Sequence, residues 1–550
     1  MLIPQLVLSI ASPLSSIFNS PPHDLSASAP SYAHQPSSSR STFSPLLPPA
    51  IPLAVKSVYL NAVLPTGGDD GSKGYLAGSW PHHWPVSYPG SDKAYHLGWS
   101  GMISVDGKAY VFLGDPEVDS KGYRPPVASQ KAFHYTASTS VFAFEAGGID
   151  FNVTFFSPVT PKDFLRQSLP LSYLSVDVDS RGLRKHNVSV YSDFSGEWAS
   201  GDSNAEIEWA FGVEESIGVY EVSRKDQLLF SEYGEQAEWG SAVYATDMGP
   251  GVSTSSGQHY DIRGRFYRTG KLNGSQDVRY RAINDRQPVF GFAKTLHKTS
   301  PSIVFAIGHM RDPYVNYVTP EGQVSRRGFW SSHFPTWRHA VSFFLSDHSS
   351  AVKNAIKFDS ELKSDAERVS GSNYSAIVEL STRQAFATIE ITGEGDDDVL
   401  VFLKEISSNG DMSTVDVVFP MYPILTYTNP TLLKLLLEPL LIYSVSGLYN
   451  LFGDRVLNLG LFDQQLYEWQ NDWYWNKRER FGVPLDSRHL WTKTDWEVCQ
   501  GFRMLPTVND FIFLQCFAAA SATDVRTRDM FMDSLVAFLE AGKVDAAFPE

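Results

Sequence analysis

The sequence predicts a large antiparallel β-sandwich followed by a helical region. Three observations carry the prediction. Apolar residues recur with period two from Ile51 to His348, turn residues punctuate that stretch, and from Ser349 onward the apolar spacing becomes that of a helix.

The strand signals come first. Phe142 and Phe144 alternate with Val141 and Ala143. Phe151, Val153 and Phe155 alternate with Asn152 and Thr154, and Leu174, Val176 and Val178 with Ser175 and Asp177. Asp106-Gly107, Gly147-Gly148, Gly201-Asp202 and Asn273-Gly274 mark turns, and Asp106-Gly107 between Met102-Ile103 and Tyr110-Val111-Phe112 is a hairpin signal. Many short strands with frequent turns argue for a sandwich. Val352, Ala355, Ile356 and Leu362 then predict a helix over 349–369, and a second is expected over 373–388. Leu400-Val401-Phe402-Leu403 reads as a short strand, with a turn at Asn409-Gly410. Leu432 to Leu448 reads as a buried helix pair. Further helices are expected over 463–481, closed by Gly482, and over 529–539. A capping box sits at Thr494–Glu497. The chain therefore divides into a tail (1–40), a β region (41–348) and a helical region (349–550).

At 550 residues the chain exceeds the ~250–300 residues at which single cores stop growing. A net charge of −16 repels phosphate backbones, so nucleic acid is excluded as a partner. No window reaches the ~20 uninterrupted apolar residues of a membrane span. The first eighteen residues are apolar but lack a basic start and are broken by Pro4 and Pro13; they read as an atypical secretory signal or as a disordered tail. Residues 19–50 are rich in Ser and Pro, which makes them a linker or processed tail. Cys499 and Cys516 are too few for a disulfide framework and read as buried thiols, with a disulfide as the alternative. Sequons stand at Asn152, Asn187, Asn273 and Asn373, and Asn152 falls on the polar side of its strand.

Few motifs carry chemistry. His82-His83 point to opposite faces if extended, so they make a poor metal pair, and no metal site is expected. Asp396-Asp397-Asp398 lacks the spacing of a calcium loop. The polar sets that stay of interest lie beside aromatics. One is Lys404-Glu405 running to Asp411. The other is Asp486-Ser-Arg488, followed by Trp491-Thr-Lys493-Thr-Asp495-Trp496. Asp486, Arg488 and Asp495 suit an internal ion-pair and cap network. They also suit a cleft in which a carboxylate acts as acid or base while Arg or Lys orients substrate.

The block Phe481-Gly-Val-Pro-Leu-Asp-Ser-Arg-His-Leu-Trp-Thr-Lys-Thr-Asp-Trp496 resembles the C-terminal signature of the fungal glutaminase A family. So do Leu403-Lys-Glu-Ile-Ser-Ser-Asn-Gly-Asp411, Val415-Asp-Val-Val-Phe-Pro420 and Leu435-Leu-Leu-Glu-Pro439. Upstream, Gly78-Ser-Trp-Pro81, Leu97-Gly-Trp99, Phe151-Asn-Val-Thr-Phe-Phe-Ser-Pro-Val-Thr160, Arg166-Gln-Ser-Leu-Pro170 and Glu197-Trp-Ala-Ser-Gly-Asp202 agree in order. The resemblance spans most of residues 40–505. It implies a β-sandwich joined to an α/α toroid like that of six-hairpin glycosidases, hydrolysis of glutamine to glutamate and ammonia outside the cell, and no cofactor.

The pattern departs from the family in three places. A long central helical segment is missing between Tyr449 and Leu457, the match fades after Leu505, and the amino terminus is unusual. The residues after Asn450 hold about six helices at ~11–12 residues each plus loops, so the toroid is expected to be incomplete. The expected catalytic residues are Glu405, Asp486 and Asp495, with Arg488, Lys493 and Trp496 binding substrate. Two alternatives stay open: a carbohydrate-active or glycan-binding protein, suggested by Trp469, Trp473, Trp475, Trp491 and Trp496, and a non-catalytic paralogue.

Overall fold

The computed structural model describes residues 41–67, 71–84, 96–319, 322–406, 410–443, 460, 462, 464–480, 482–483 and 524–540. Two sheets build the β body. The larger has ten strands in the order Thr42–Ser44, Ser129–Tyr135, Thr139–Ala146, Ile149–Phe156, Leu171–Val178, Ser302–Met310, Ser241–Asp247, Ile217–Arg224, Glu206–Glu214 and Arg281–Ala282. The smaller has five: Val252–Gln258, Pro288–Leu296, Val188–Ser195, Trp99–Val105 and Lys108–Leu113. Pairing in these two sheets is antiparallel except between Thr42–Ser44 and Ser129–Tyr135. The expected antiparallel sandwich and the helical region after it are both present.

The alternation seen in the sequence is the alternation of burial. Phe142 and Phe144 face inward, as do Phe151, Val153 and Phe155, while Asn152 is exposed. These rings meet Trp99, Phe194, Tyr244, Phe290, Phe292 and Phe305 in one core between the sheets. Each fully buried ring of this size contributes about 1.5–3 kcal/mol, so the aromatic core dominates the stability of the body. Strand Leu171–Val178 departs from clean alternation, because only Asp177 is exposed along it. Its second face is covered by helices: Tyr173 stacks on Phe344 with centroids 3.9 Å apart. The Asp106-Gly107 turn is a hairpin, with φ of 50° and 85° as a primed turn requires.

Three helices correct the period-two reading of residues 51–348, the shortest being Phe164–Ser168. The helix His259–Thr269 interrupts it and lays Ile262 and Phe266 on the outer face of the smaller sheet. Its signals, an i, i+4 apolar pair and Gly270 at φ 66° accepting the chain's exit, are present in the sequence but polar residues surround them. The third helix, Trp337–Ser346, begins before residue 349. The two helices expected over 349–369 and 373–388 are both present within His348–Ala387, parted by the non-helical backbone of Ser370 and Gly371. The strand Leu400–Leu403 pairs with Ile389–Thr392, and Pro430–Tyr443 packs against this hairpin with Leu432, Leu433, Leu436 and Leu437 buried. The helix expected over 463–481 runs Gln464–Lys477, and that expected over 529–539 runs Val525–Glu540. Asp524 caps the latter by accepting from the Thr527 N–H at 2.7 Å, which explains the earlier start. No described helix is long and apolar enough to cross a membrane.

Candidate functional site

Lys404 follows directly on the strand Leu400–Leu403, and its side chain is 1% exposed. Its ammonium donates to the Gly410 carbonyl at 2.6 Å and to both oxygens of Glu232 at 3.1 and 3.0 Å, and it stands 3.1 Å from Glu235. The two carboxylates come from a single hairpin in the β body. Glu232–Tyr233 pairs with Gln236–Ala237, and Gly234 and Glu235 turn the chain at φ 58° and 63°. A left-handed φ is unfavourable for glutamate, so the hairpin holds Glu235 there at a cost in strain. Gly410, at φ 74°, closes the other side. A Cβ at this position would lie 1.9 Å from Glu235 Oε2 and 2.7 Å from Lys404 Nζ, so only glycine admits the cluster.

One cation thus serves two carboxylates. Burial pushes the Glu235 carboxyl up, Lys404 pulls it back, and the hydrogen-bonded carboxyl of Glu232 adds to the rise. Tyr59 donates a short hydrogen bond to Glu232; burial, and then this carboxylate, raise its phenol well above the usual range. Beneath Tyr59 lies a buried ion pair, Arg311 Nη2 to Glu390 Oε1 at 2.7 Å. The guanidinium is clasped between the rings of Tyr59 and Tyr314, 4.3 and 4.4 Å from their centroids. His83 reaches the Glu235 carbonyl at 3.2 Å, and burial lowers its imidazole to about 3, so it is neutral. The arrangement presents a pair of carboxylates, 30% and 19% exposed, on a base that is fully dry. Such a pair can hold and hand on a proton.

Glu405, the expected catalytic carboxylate, is 4% exposed, and its backbone N–H donates to the Asp411 carbonyl at 2.8 Å. Its neighbour Lys404 is the residue that grips the cluster. Asp486, Arg488, Lys493, Asp495 and Trp496 lie outside the described residues, as do Trp491, Cys499, Cys516, the Thr494–Glu497 capping box, the 1–40 tail and the Tyr449–Leu457 junction. Tyr59, Glu232, Glu235, Arg311 and Glu390 were not singled out from the sequence. No spacing links them, because 345 positions of chain separate Tyr59 from Lys404. The Glu-Tyr-Gly-Glu run of residues 232–235 was the one available signal.

Other sequence features find ordinary partners. Asp398 accepts from Arg326 at 2.9 Å. His82 lies against His96 with ring centroids 4.5 Å apart, while His83 turns towards Glu235. Trp473 and Trp475 pack against the Tyr474, Met530 and Phe531 cluster, and Trp469 is 60% exposed. The sequons at Asn152, Asn187 and Asn273 are exposed, and Asn373 is exposed on a helix. A cavity of about 730 Å3 opens elsewhere, between Lys162, Asp163, Phe329, His333, Asp396 and Tyr427. It offers room for a small substrate, but Asp163 is already engaged by Arg166 at 2.6 Å. The Lys404 cluster carries the stronger acid–base chemistry.

Two family models match the chain. "Domain of unknown function (DUF5127)" covers residues 138–365, and "Glutaminase A six helical-hairpin domain" covers residues 371–449 and 444–550. The two meet at the Ser370–Gly371 break in the long helix. Glutaminase A of Aspergillus oryzae (strain ATCC 42149 / RIB 40) is 44% identical over 414 residues, which is 74% of this chain and 58% of that protein. A protein of Arthroderma benhamiae (strain ATCC MYA-4681 / CBS 112371) named probable glutaminase is 32% identical over 432 residues, 74% of this chain and 48% of that protein. The chain spans about half the length of these curated relatives. With its β body, its helical region and the ordered motifs that join them, the chain belongs to the glutaminase A family.

Proposed function

We propose that this chain is a glutaminase-type amide hydrolase that converts glutamine to glutamate and ammonia at the Lys404 cluster. The observation that carries the reading is the carboxylate pair Glu232 and Glu235 set on Lys404, in a chain similar to proteins named for glutaminase activity. In this reading Glu235 takes the proton of the attacking water as the C–O bond forms at the amide carbon. It then returns that proton to the departing nitrogen as the C–N bond breaks. Glu232 shares the charge, and Lys404 and Tyr59 are positioning residues. A carboxyl pushed upward by burial is suited to both halves of that transfer.

Glu405, Asp486 and Asp495 are kept in the proposal as further acid–base groups, and Arg488, Lys493 and Trp496 as groups that bind the substrate. Secretion, and glycans at the exposed sequons, belong to the same proposal.

Ammonia release from glutamine by the purified full chain tests it. Glu235→Gln is expected to lower kcat by roughly 10²–10⁴-fold while KM changes little, the range typical of a lost general acid–base group. Absence of ammonia release by the unaltered chain overturns the reading. Full activity in Glu235→Gln moves the chemistry away from this cluster.

A further inference from the structure

The ion pair Arg311–Glu390 joins the same two regions that the Lys404 cluster joins. Glu390 lies on the strand Ile389–Thr392, the partner of the strand that ends just before Lys404. Arg311 follows directly on the strand Ser302–Met310 of the larger sheet. Both side chains are dry, 0% and 2% exposed. The hairpin of the helical region is thus pinned to the β body at two points, by Glu390 to Arg311 and by Lys404 to Glu232 and Glu235. Tyr59 spans the two. Its ring lies 4.3 Å from the Arg311 guanidinium and 5.7 Å from the Lys404 ammonium, and its hydroxyl donates to Glu232.

The pair leaves Tyr59 little freedom. The guanidinium stands between the rings of Tyr59 and Tyr314 and 5.5 Å from that of Trp239. Trp239 meets the Tyr59 ring edge-on at 5.5 Å, and it follows two residues after the strand Gln236–Ala237 that closes the Glu232–Glu235 hairpin. Arg311 donates from Nη1 to the Tyr314 carbonyl at 3.2 Å and from Nη2 to Glu390 at 2.7 Å. Glu390 also accepts from the backbone N–H of Val58, the neighbour of Tyr59. One buried pair therefore grips the turn that carries Tyr59 and the segment that follows the carboxylate hairpin. A buried ion pair is a weak source of stability, because desolvation offsets the Coulomb gain. Its value here is geometric. A flat guanidinium between two rings fixes the orientation of both, which the rounded ammonium of a lysine does not.

We propose that Arg311 is a positioning residue for the acid–base pair: with Glu390 it fixes the ring of Tyr59, and through the Tyr59 hydroxyl it sets where Glu232 stands beside Glu235. The inference rests on the reading of the Lys404 cluster as the seat of amide hydrolysis. The route has three contacts, Glu390 to Arg311, Arg311 to Tyr59 and Tyr59 to Glu232. A loosened Tyr59 frees Glu232 to turn, and a misplacement of about 1 Å in such a constellation costs up to roughly 10²-fold in rate.

The kinetics of ammonia release from glutamine by the full chain test this. Arg311→Lys keeps the charge opposite Glu390 and loses the plate between the rings. It is expected to lower kcat roughly ten- to a hundredfold with KM little changed. Tyr59→Phe keeps the ring and removes the hydroxyl, so Arg311→Lys added to it should cost nothing beyond Tyr59→Phe alone. The same loss from Arg311→Lys in both backgrounds overturns the proposal. So does a folded Arg311→Lys protein with a lower denaturant midpoint and an unchanged kcat, which is the mark of a purely structural pair. Should Arg311→Lys not fold, Glu390→Gln, which keeps the shape and an acceptor for Arg311, carries the same expectations. If the unaltered chain releases no ammonia, the amide-hydrolysis reading falls and the positioning is decided by denaturant midpoints. The shifts of Arg311→Lys and Glu232→Gln should then fail to add in the unaltered chain and add in the Tyr59→Phe background. Plain additivity in the unaltered chain overturns the proposal.

Discussion

Arg263 and Arg383 are both buried arginines, yet they are held in opposite ways. Arg263 lies between its helix and the outer face of the smaller sheet, with a bidentate carboxylate partner, Asp193, that the hydroxyls of Ser100 and Tyr191 also support. Arg383, 1% exposed, lies where the long helix His348–Ala387 crosses the larger sheet. It donates from Nη1 to Ser140 Oγ at 2.8 Å, and its Nε and Nη2 find no partner among the described residues. Nearby Asp359 spends one oxygen on Thr136 and Ser138 and leaves the other unpaired. Burial pulls Arg383 down to about 9, with Asp359 opposing. The sandwich is a finished polar and apolar structure. The seam between β body and helical region, where Asp359 and Arg383 meet the larger sheet, is unfinished.

The largest test of this contrast is Arg263→Met. Removing one partner of a closed buried pair leaves Asp193 charged and alone, so the sandwich is expected to lose about 3–5 kcal/mol, read as a lower denaturant midpoint at unchanged slope. Arg383→Met should cost far less. It deletes two unsatisfied donors along with one good bond, and a change within about 1 kcal/mol of the original, of either sign, is expected in the same experiment. A loss as large as that of Arg263→Met would erase the distinction between the two regions.

The smallest effect is a pH dependence. Glu379, on the same helix, has its carboxyl pushed up to about 7 by burial, against the pull of Lys363. A carboxyl raised in the folded state binds more protons than the unfolded chain does between its two values. Its contribution to stability therefore falls as pH rises from the unfolded value near 4.5 through about 7. Glu379→Gln should gain in thermal midpoint over the original chain above neutrality and show no gain at pH 4. An advantage that is the same at both pH values would show that Glu379 titrates alike in the folded and unfolded chain, making the seam no different from an exposed surface.

The strands Thr139–Ala146 and Ile149–Phe156 were legible because each residue alternates between the core and solvent, which is a local property of a half-buried strand. The strand Leu400–Leu403 was legible as an apolar run, and the long helix as two segments, because Gly371 breaks the periodicity where it breaks the helix. The helix His259–Thr269 was not, since its buried face includes Arg263, a residue that pattern reading places outside. The candidate site was half legible. Lys404-Glu405 and Gly410 stood out beside aromatics, but their partners Tyr59, Glu232 and Glu235 come from hairpins whose position depends on how the sheets pack.

By itself, then, the amino-acid sequence determined the class of each region, the turns that end its strands and the family to which the chain belongs, because periodicity and motif order are properties of neighbours along the chain. Only the tertiary structure decided which charges meet. Tyr59, Glu232 and Lys404 converge because two hairpins and a strand end pack together, and Arg263 meets Asp193 because a helix lies on the outer face of the smaller sheet. Such pairings are set by distances of a few ångströms between segments far apart in sequence, where electrostatic energy in a dry interior changes most steeply with position.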